Sequence, residues 1–253
     1  MPAIYQEDVA YIHHVGFGRF ATEAAPGLIR IIEQARITKG VLVDLGCGSG
    51  IWARVAQRGG FKVLGVDASP AMIGLARKLA PKAEFQCGSL HNITLPKCDT
   101  ITAIGEGFNY LESPQSKIQN LRSKIGPPNL TKLFHRLASA LCPGGLLIFD
   151  VIITGRPRLD KRTWVVGRDW AILTDTREFP KRRRLVRVLT TFRKLRGRNA
   201  YRRGHEQHEV HVFQTKAIER ELRAAGFTFH KLGRYGKMSL LPRRIAFVCR
   251  KTC

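Results

Sequence analysis

A glycine-rich turn that follows an apolar strand is the feature that most constrains the fold of this chain. Residues 40–52 read GVLVDLGCGSGIW, with glycines at 46, 48 and 50. Glycine permits a sharp turn and lets a ligand approach the backbone closely. A strand that runs into such a turn and then into a helix is typical of parallel α/β proteins, which bind ligands beyond the carboxyl ends of their strands.

The spacing of the turn distinguishes two kinds of nucleotide ligand. A dinucleotide-binding turn has the pattern G-x-G-x-x-G, in which backbone amides receive a pyrophosphate. Here Ile51 stands where that pattern needs its third glycine. Asp44 precedes the turn, and its carboxylate would repel a phosphate but attract an ammonium group. The turn therefore favours a ligand with an amino-acid-like end.

Two later segments extend the same site. Asp67 ends the next apolar run, KVLGVD, where a carboxylate can accept hydrogen bonds from two ribose hydroxyls. The segment CGSL at 87–90 ends the third run, where backbone groups can face an adenine edge. The turn, the acid and this loop together predict a site for a nucleoside joined to an amino acid.

Strand and helix patterns alternate between residues 40 and 150, as a parallel α/β sheet requires. Ser69 and Pro70 suit the N-cap and first position of a helix. The segment 113–128 is polar and proline-bounded, and we expect a surface loop or a frayed helix there. The predicted strands are 41–46, 62–67, 83–88, 99–105 and 145–152, and the predicted helices lie near 50–58, 70–80 and 129–141.

The pattern changes after residue 164. Three strands are predicted at 164–179, 184–195 and 205–213, joined by the hairpin connections PKRRR and RGRNAYRRG. Alternation along HEQHEVHVF puts Glu209 and His211 on one face, where they could form a polar substrate wall. A helix that ends at Gly226 follows, and two closing strands complete the chain.

The motifs VDLGCGSG, VLGVDASPAMIGLAR, AEFQCGSL and LCPGGLLIFDV resemble those of class I S-adenosylmethionine-dependent methyltransferases, over roughly residues 37–152. The resemblance implies an α/β, Rossmann-like sheet of seven mostly parallel strands with the last strand antiparallel. It also implies S-adenosyl-L-methionine as the cofactor. The resemblance implies Asp44, Gly46, Cys47 and Gly48 at the methionine end, Asp67 and Ala68 at the ribose, and Ser89 and Leu90 at the adenine. The further expected cofactor contacts are Gly50, Met72, Gly88 and Glu106.

The resemblance divides the chain into four parts. Residues 1–36 are expected to form an N-terminal helical lid, and 37–155 the cofactor-binding core. Residues 156–213 form a small antiparallel β cap inserted after strand 5, where this family places its substrate-specific insertion. Residues 214–253 complete the core with a helix and strands. Family members often carry Asp where this chain has Ser89, so recognition of the adenine amine would depend on a hydroxyl or on backbone groups.

Two side chains are candidates for catalysis. Glu106 lies in GEGFNYL after the fourth strand, where it could contact the cofactor, steer the acceptor or simply cap the following turn. His14 lies in YIHHVGFGRF, and imidazole titrates near neutral pH, so it could act as a base. Tyr11, Phe17 and Phe20 could close over the cofactor with it. An amphipathic helix packed on the sheet edge is the alternative for this segment.

Charge and cysteine content limit which partners, metals and cellular setting are expected. The chain has 43 Lys and Arg against 19 Asp and Glu, and residues 156–203 carry 17 basic and four acidic residues, a net charge of +13. Such a segment could attract an anionic acceptor, contact RNA, or be an arginine-rich surface. The six cysteines form no metal-binding pattern, so no metal is expected. With neither a signal sequence nor an apolar span in view, we expect a cytoplasmic setting.

These observations predict a methyltransferase that acts at O, N or C on a small molecule, which can be anionic. Methyl transfer from a sulfonium is an in-line displacement, so alignment of the reactants is the protein's main contribution. An RNA methyltransferase that uses the basic cap and a non-catalytic cofactor-binding protein are the alternatives. The acceptor atom, the need for a general base and the oligomeric state are left open by the sequence.

Overall fold

The computed structural model describes residues 4–110 and 129–252. The segment 113–128, with its predicted loop or frayed helix, lies outside the described residues. The N-terminal part forms α1 (Glu7–Ile12), a π-helical turn (His13–Phe17) and α2 (Arg19–Gln34). The core then runs β1 (Gly40–Leu45), α3 (Ile51–Arg58), β2 (Phe61–Asp67), α4 (Pro70–Leu79), β3 (Glu84–Cys87), β4 (Cys98–Ala103), α5 (Leu130–Ala140) and β5 (Leu141–Ile152).

The second half of the chain adds a separate sheet before it returns to the core. Four antiparallel strands follow β5: β6 (Lys161–Val166), β7 (Trp170–Phe179), β8 (Arg184–Lys194) and β9 (Tyr201–His211). The core is completed by α6 (Thr215–Ala224), β10 (Phe227–Leu232), the short hairpin β11 (Arg234–Tyr235) and β12 (Met238–Ser239), and β13 (Arg244–Lys251). Among the described residues, no helix is long and apolar enough to span a bilayer.

The main sheet has seven strands in the order β10-β13-β5-β4-β1-β2-β3. The pairs among β1 to β5 are parallel, and β13 runs antiparallel to both β5 and β10. The predicted fold class is therefore confirmed, including the antiparallel last strand. The connections from β1 lead to β2 on one side and, after β3, to β4 on the other, which makes the carboxyl end of β1 a switch point where ligands bind.

Helices cover both faces of this sheet because its strands are apolar on both sides. Leu42 of β1 packs in a cluster with Leu28 of α2 and Trp52 of α3. The next residue, Val43, points the other way and packs in a cluster with Phe134 of α5 and Leu222 of α6. Alternation along one strand thus holds two helical layers around the central sheet.

Two predicted helix boundaries are confirmed by their capping geometry. The Ser69 hydroxyl accepts a hydrogen bond from the backbone N–H of Met72 at 3.1 Å, and Pro70 is the first residue of α4. Gly226 follows α6 with φ of +78°, the left-handed conformation that favours glycine after a helix. Both helix-capping residues satisfy backbone groups that a helix end would otherwise leave without partners.

The cap has four strands, so the prediction of a single strand at 164–179 is wrong. Gly167 lies in a tight connection between β6 and β7, where its backbone N–H donates to the carbonyl of Trp170 at 2.8 Å. A Cβ added to Gly167 would lie 2.2 Å from the Trp170 ring, so the reversal depends on glycine at that position. Because the apolar pattern alternates on both sides of the turn, the sequence pattern did not predict the reversal at Gly167.

The last cap strand also begins earlier than predicted. β9 pairs with β8 from Tyr201 onward, so Arg202 and Arg203 are strand residues and not part of a hairpin connection. The predicted alternation is present, but Glu209 does not face the interior. Its carboxylate accepts a hydrogen bond from Arg184 at 3.1 Å on the outer side of the sheet. The expected substrate wall of Glu209 and His211 is therefore wrong, since the opposite face of β9 points inward.

Candidate functional site

The glycine turn places an open space at the carboxyl end of β1. Gly48 has φ of +52°, and a Cβ built on it would meet nothing within 4 Å. Gly50 has φ of +78°, and its Cβ would lie only 2.9 Å from that of Ala76 on α4. The first glycine therefore leaves room for a ligand, while the other allows α3 and α4 to approach closely.

Asp67, at the end of β2, lies against this turn. One carboxylate oxygen accepts a hydrogen bond from the backbone N–H of Gly48 at 2.9 Å, and the other accepts from Ser69 at 2.9 Å. Burial raises the pKa of the Asp67 carboxyl, and the two backbone hydrogen bonds act against that rise. Its position beside the open space fits the predicted role toward ribose hydroxyls.

Asp44 is a buried carboxyl one residue before the end of β1. It accepts a hydrogen bond from Thr102 Oγ1 at 2.8 Å, and Trp52 Nε1 in turn donates to Thr102 at 2.9 Å. Burial raises the pKa of Asp44 to about 7 against the effect of the Thr102 hydrogen bond, and the neighbouring Asp67 raises it further. No ion pair neutralises Asp44 among the described residues, so a cationic group of a ligand would be stabilised beside it.

The other expected cofactor residues surround the same edge of the sheet. The backbone N–H of Gly88 donates to the Asp67 carbonyl at 2.9 Å, which joins the third-strand loop to the second strand. The Ser89 hydroxyl accepts from the backbone N–H of His91 at 3.2 Å. Burial raises the pKa of the Cys47 thiol, so it stays protonated. Gly46, Ala68, Met72 and Leu90 lie in the same turn, helix start and loop, with Met72 buried.

These features fit S-adenosyl-L-methionine in charge and shape. The open space at Gly48, the buried carboxyl of Asp44 and the carboxylate of Asp67 follow one another along the carboxyl edge of β1 and β2. An ammonium group suits the first carboxyl and vicinal hydroxyls suit the second. Within residues 4–110 and 129–252, no group of three His, Cys, Asp or Glu side chains is placed to hold a metal ion.

Glu106 lies between two arginines. Arg187 of β8 donates to Glu106 Oε2 at 2.6 Å, and Arg244 at the start of β13 pairs with Oε1. Glu106 has φ of +68°, and its backbone N–H donates to Asp150 at 2.9 Å. The segment after β4 is thereby fixed to the cap and to β5. This arrangement supports a role in positioning, and the predicted catalytic role of Glu106 stays a prediction.

A cluster of polar aromatic side chains fills the space between Glu106 and the cap. The hydroxyls of Tyr5 and Tyr110 lie 2.8 Å apart, and the His208 ring lies 4.8 Å and 6.1 Å from the two tyrosine rings. Burial raises the pKa of both tyrosine hydroxyls, so they remain protonated. We name Tyr5, Tyr110 and His208 the acceptor cluster. It lies beside Asp67, whose charge raises the pKa of Tyr110 further.

Glu206 supports this cluster from the cap. Its carboxylate accepts hydrogen bonds from the backbone N–H groups of Tyr5 and Gln6 at 2.7 and 2.8 Å, and it lies 2.8 Å from His208 Nε2. Sequence reasoning missed Tyr5, Glu206, His208 and Arg187 as site residues. Alternation along β9 had put Glu206 and His208 on one face, but nothing in the pattern indicated which face was buried.

The N-terminal segment lies across the carboxyl edge of β1 and β2, and it contacts both the core and the cap. His14 Nδ1 lies 2.8 Å from Ser49 Oγ in the glycine turn, and Ser69 donates to the Tyr5 carbonyl at 2.6 Å. Tyr11 contacts the cap, where the Arg193 guanidinium lies 3.6 Å from its ring centroid. Of the side chains expected to close the lid, His14 contacts the glycine turn, whereas Tyr11 contacts Arg193 and Phe17 contacts the Trp170 ring, both in the cap. Its predicted role as a base stays a prediction.

Comparison with known proteins gives a consistent result. A model of a methyltransferase domain matches residues 17–232. The ubiquinone biosynthesis O-methyltransferase of Coxiella burnetii is 30% identical over 109 residues, which is 40% of this chain and 46% of that protein. The mitochondrial enzyme of the same name from Schizosaccharomyces pombe is 31% identical over 93 residues, which is 34% of each. The matched region thus covers less than half of these two relatives.

Solved structures resemble the whole fold. A S-adenosylmethionine-dependent methyltransferase from Clostridium acetobutylicum superposes with a TM-score of 0.78 at 18% identity, covering 96% of this chain and 98% of that chain. The amino pentose methyltransferase CalS10 from Micromonospora echinaspora, solved with S-adenosylmethionine bound, gives a TM-score of 0.69 at 20% identity, covering 96% and 97%. The similarity therefore extends over nearly the whole fold, the cap included.

Proposed function

Because this chain belongs to the methyltransferase-domain family, whose model spans residues 17–232, we propose that it methylates a small-molecule acceptor. The family assignment confirms the resemblance predicted from the motifs, and with it S-adenosyl-L-methionine as the cofactor. The single observation that carries the small-molecule proposal is the acceptor cluster between the N-terminal segment and the cap, in which His208 is buried and Tyr5 and Tyr110 are half-buried.

When bound, S-adenosyl-L-methionine supplies a methyl group on a positively charged sulfur. In our proposal Asp44 holds the ammonium group and Asp67 accepts hydrogen bonds from the ribose hydroxyls. Ser89 and Leu90 border the adenine. Gly48 leaves the space into which the ligand fits. These residues bind and orient, and their alignment of the reacting atoms is what lowers the barrier.

The acceptor cluster suits an oxygen or nitrogen acceptor that loses a proton. His208 Nε2 lies against the Glu206 carboxylate, which favours the tautomer that carries the proton on Nε2. Nδ1 is then available to take a proton from an acceptor hydroxyl or amine as that atom bonds to the methyl carbon. The hydroxyls of Tyr5 and Tyr110 can orient the acceptor by donating or accepting hydrogen bonds.

The position of the cluster supports a small acceptor over an RNA one. Tyr5 is held over the site by Glu206 of the cap and by Ser69 of the core. His208 and Glu206 are 1% and 5% exposed. A site enclosed in this way suits a ligand that it can surround. Glu106 pairs with both Arg187 and Arg244, so one positive charge beside the cluster is left over and can attract a polar or anionic acceptor.

The names of relatives suggest which acceptors to test first. One group of relatives is named for ubiquinone biosynthesis, and CalS10 is named as an amino pentose methyltransferase. We propose to incubate the protein and S-adenosyl-L-methionine with hydroxylated quinone precursors and with amino sugars, and to measure S-adenosylhomocysteine by mass spectrometry. Formation of this product only when an acceptor is present would support the proposal.

Two results would contradict it. Methylation of a transfer or ribosomal RNA with no small molecule turned over would support the RNA alternative. Tight calorimetric binding of S-adenosyl-L-methionine with no product from either class would support a non-catalytic cofactor-binding protein. The binding measurement separates a failed cofactor site, which gives no heat of binding, from a protein that binds the cofactor without turnover.

A further inference from the structure

The outer side of the cap sheet exposes apolar and aromatic side chains in register. Trp164 lies opposite Leu173, Leu173 opposite Thr190 and Thr190 opposite His205, so these four residues share one face across all four strands. Trp164 is 76% exposed and Leu173 47% exposed. The residues of β6 to β9 on this side form what we name the outer cap face.

The opposite side of the sheet is already occupied. Ile172 and Leu189 are buried in a cluster with Val9 and Ile12 of α1. His208 of the acceptor cluster lies on this inner side as well, opposite Arg187. The outer cap face therefore points away from the proposed methyl-transfer site, and whatever covers it is a different ligand from the methyl acceptor.

The charge of the cap is not balanced within the cap. All four acidic residues of 156–203 pair with arginines: Asp160 with Arg158, Asp169 with Arg193, Asp175 with Arg162 and Arg177, and Glu178 with Arg243. Lys194 and Arg203, which stand on the outer cap face beside exposed Tyr201, have no ion pair among the described residues. Surplus positive charge therefore borders the exposed aromatic rings.

We propose that the outer cap face binds single-stranded RNA. Unstacked bases can stack on the exposed rings of Trp164 and Tyr201, and Lys194 and Arg203 can contact phosphates. Three strand spacings of about 4.8 Å give a face about 14 Å wide, which suits a few nucleotides. The polar side chains of Thr190, His205 and Gln207 stand in the same rows, where they can hydrogen-bond to ribose 2′-hydroxyls.

The same features disfavour other occupants. A second copy of this chain would bring together two segments of net charge +13, and their repulsion would oppose pairing through this face. A duplex keeps its bases stacked on one another, so it cannot use the aromatic rings, and the deep major groove of A-form RNA does not admit a broad sheet. Charge complementarity and stacking together favour a single strand.

The test uses the full chain and a fluorescein-labelled oligouridylate of about 12 nucleotides, with binding followed by fluorescence anisotropy. We expect affinity to fall roughly tenfold or more between about 50 mM and about 200 mM salt as phosphate contacts are screened. Trp164→Ala should weaken binding at least about fivefold, from the loss of one stacking contact. Leu241→Ala removes an exposed apolar side chain outside the cap and should leave affinity unchanged.

A second pair of variants separates the site from general charge attraction. Arg203→Glu should weaken binding strongly, whereas Arg30→Glu changes the net charge equally at an exposed position of α2, outside the cap, and should have little effect. Equal loss in both variants would overturn the proposal, as would equal affinity for an RNA hairpin duplex or for the matching oligodeoxythymidylate. A dimer in light scattering that Trp164→Ala dissociates would assign the face to a second copy instead. Calorimetric binding of S-adenosyl-L-methionine is independent of all these outcomes.

Discussion

Arg187 of the cap donates a hydrogen bond to the carboxylate of Glu106 at 2.6 Å, and the two side chains are 19% and 4% exposed. This contact joins the middle of β8 to the segment that follows β4, so the cap is fixed where the cofactor edge and the acceptor cluster meet. Burial lowers the pKa of Arg187, but the charge of Glu106, the hydrogen bond to it and the nearby Tyr110 and Tyr5 together raise that pKa above its ordinary value, so the guanidinium stays charged. The attachment of the cap to the core therefore depends on both side chains of this pair.

Removal of one partner of this pair should lower the stability of the fold. We expect Arg187→Ala to lower the free energy of unfolding by about 1.5–3 kcal/mol, because Glu106 would lose a charged hydrogen bond at 2.6 Å and keep only its pair with Arg244. Urea denaturation measures the change. Arg177→Ala is the matched control, since its pair with Asp175 is exposed and should contribute less than about 1 kcal/mol. Equal losses in the two variants would contradict a special role for the buried pair.

The second prediction concerns Asp67, the carboxylate proposed to accept hydrogen bonds from the ribose hydroxyls. Asp67→Asn should weaken binding of S-adenosyl-L-methionine by about 10- to 100-fold, because the amide loses the charge that strengthens hydrogen bonds to hydroxyls and to the Gly48 amide. Isothermal titration calorimetry measures the affinity. Asp99→Asn is a matched control, since Asp99 accepts a backbone hydrogen bond from Val41 at the start of β1, far from the cofactor edge. Unchanged affinity in the first variant would refute the ribose assignment.

The third prediction follows from the raised pKa of Asp44. Its pKa rises from 3.8 to about 7 in the fold, so between those values the folded protein binds more protons at this site than the unfolded chain. The stability that this carboxyl contributes is therefore complete below about pH 4 and is lost as the pH rises toward 7. Asparagine does not titrate. We expect the stability of the wild type relative to Asp44→Asn to decrease over this range in urea denaturation, and a constant difference would contradict the raised pKa.

The sequence predicted where Asp44, Asp67 and the glycine turn lie, but not where the acceptor cluster forms, for a physical reason. The proposed cofactor residues lie at strand ends, because each is fixed by one local strand-turn-helix pattern. The acceptor cluster joins Tyr5, Tyr110 and His208, which are 98 or more residues apart between neighbours in the chain. No local pattern reports such a meeting, and only the packed structure brings these side chains together.

The predicted strand boundaries in the cap were wrong for a related reason. The run from Trp164 to Phe179 reads as one alternating strand, and only the close contact of Gly167 with the Trp170 ring explains why the chain reverses there. In β9, alternation correctly separated Glu206 from Glu209, but both faces carry acids and histidines. The buried face is the one that packs against the N-terminal segment, where the backbone N–H groups of Tyr5 and Gln6, just before α1, donate to the Glu206 carboxylate.

The fourth prediction tests that attachment of the lid. Glu206→Ala removes the acceptor of two backbone hydrogen bonds, from Tyr5 and Gln6. Hydrogen bonds to a charged group contribute about 1.5–3 kcal/mol each, so α1 should open more than about tenfold more often. Hydrogen exchange followed by mass spectrometry should show faster exchange at residues 5–12. Glu209→Ala, on the other face of β9, should leave exchange there unchanged, and protection retained in Glu206→Ala would show that other contacts hold the lid.

The fifth prediction addresses proton transfer in the acceptor cluster. With the acceptor that the panel identifies, His208→Gln should lower kcat by about 100-fold or more, because glutamine can hydrogen-bond to Glu206 but cannot take a proton. Affinity for S-adenosyl-L-methionine should stay within about twofold, since His208 lies on the acceptor side of the site. His230→Gln, on exposed β10, is the matched control and should leave kcat unchanged. A rise in KM at constant kcat would instead make His208 a binding residue, and the proton would then leave through solvent.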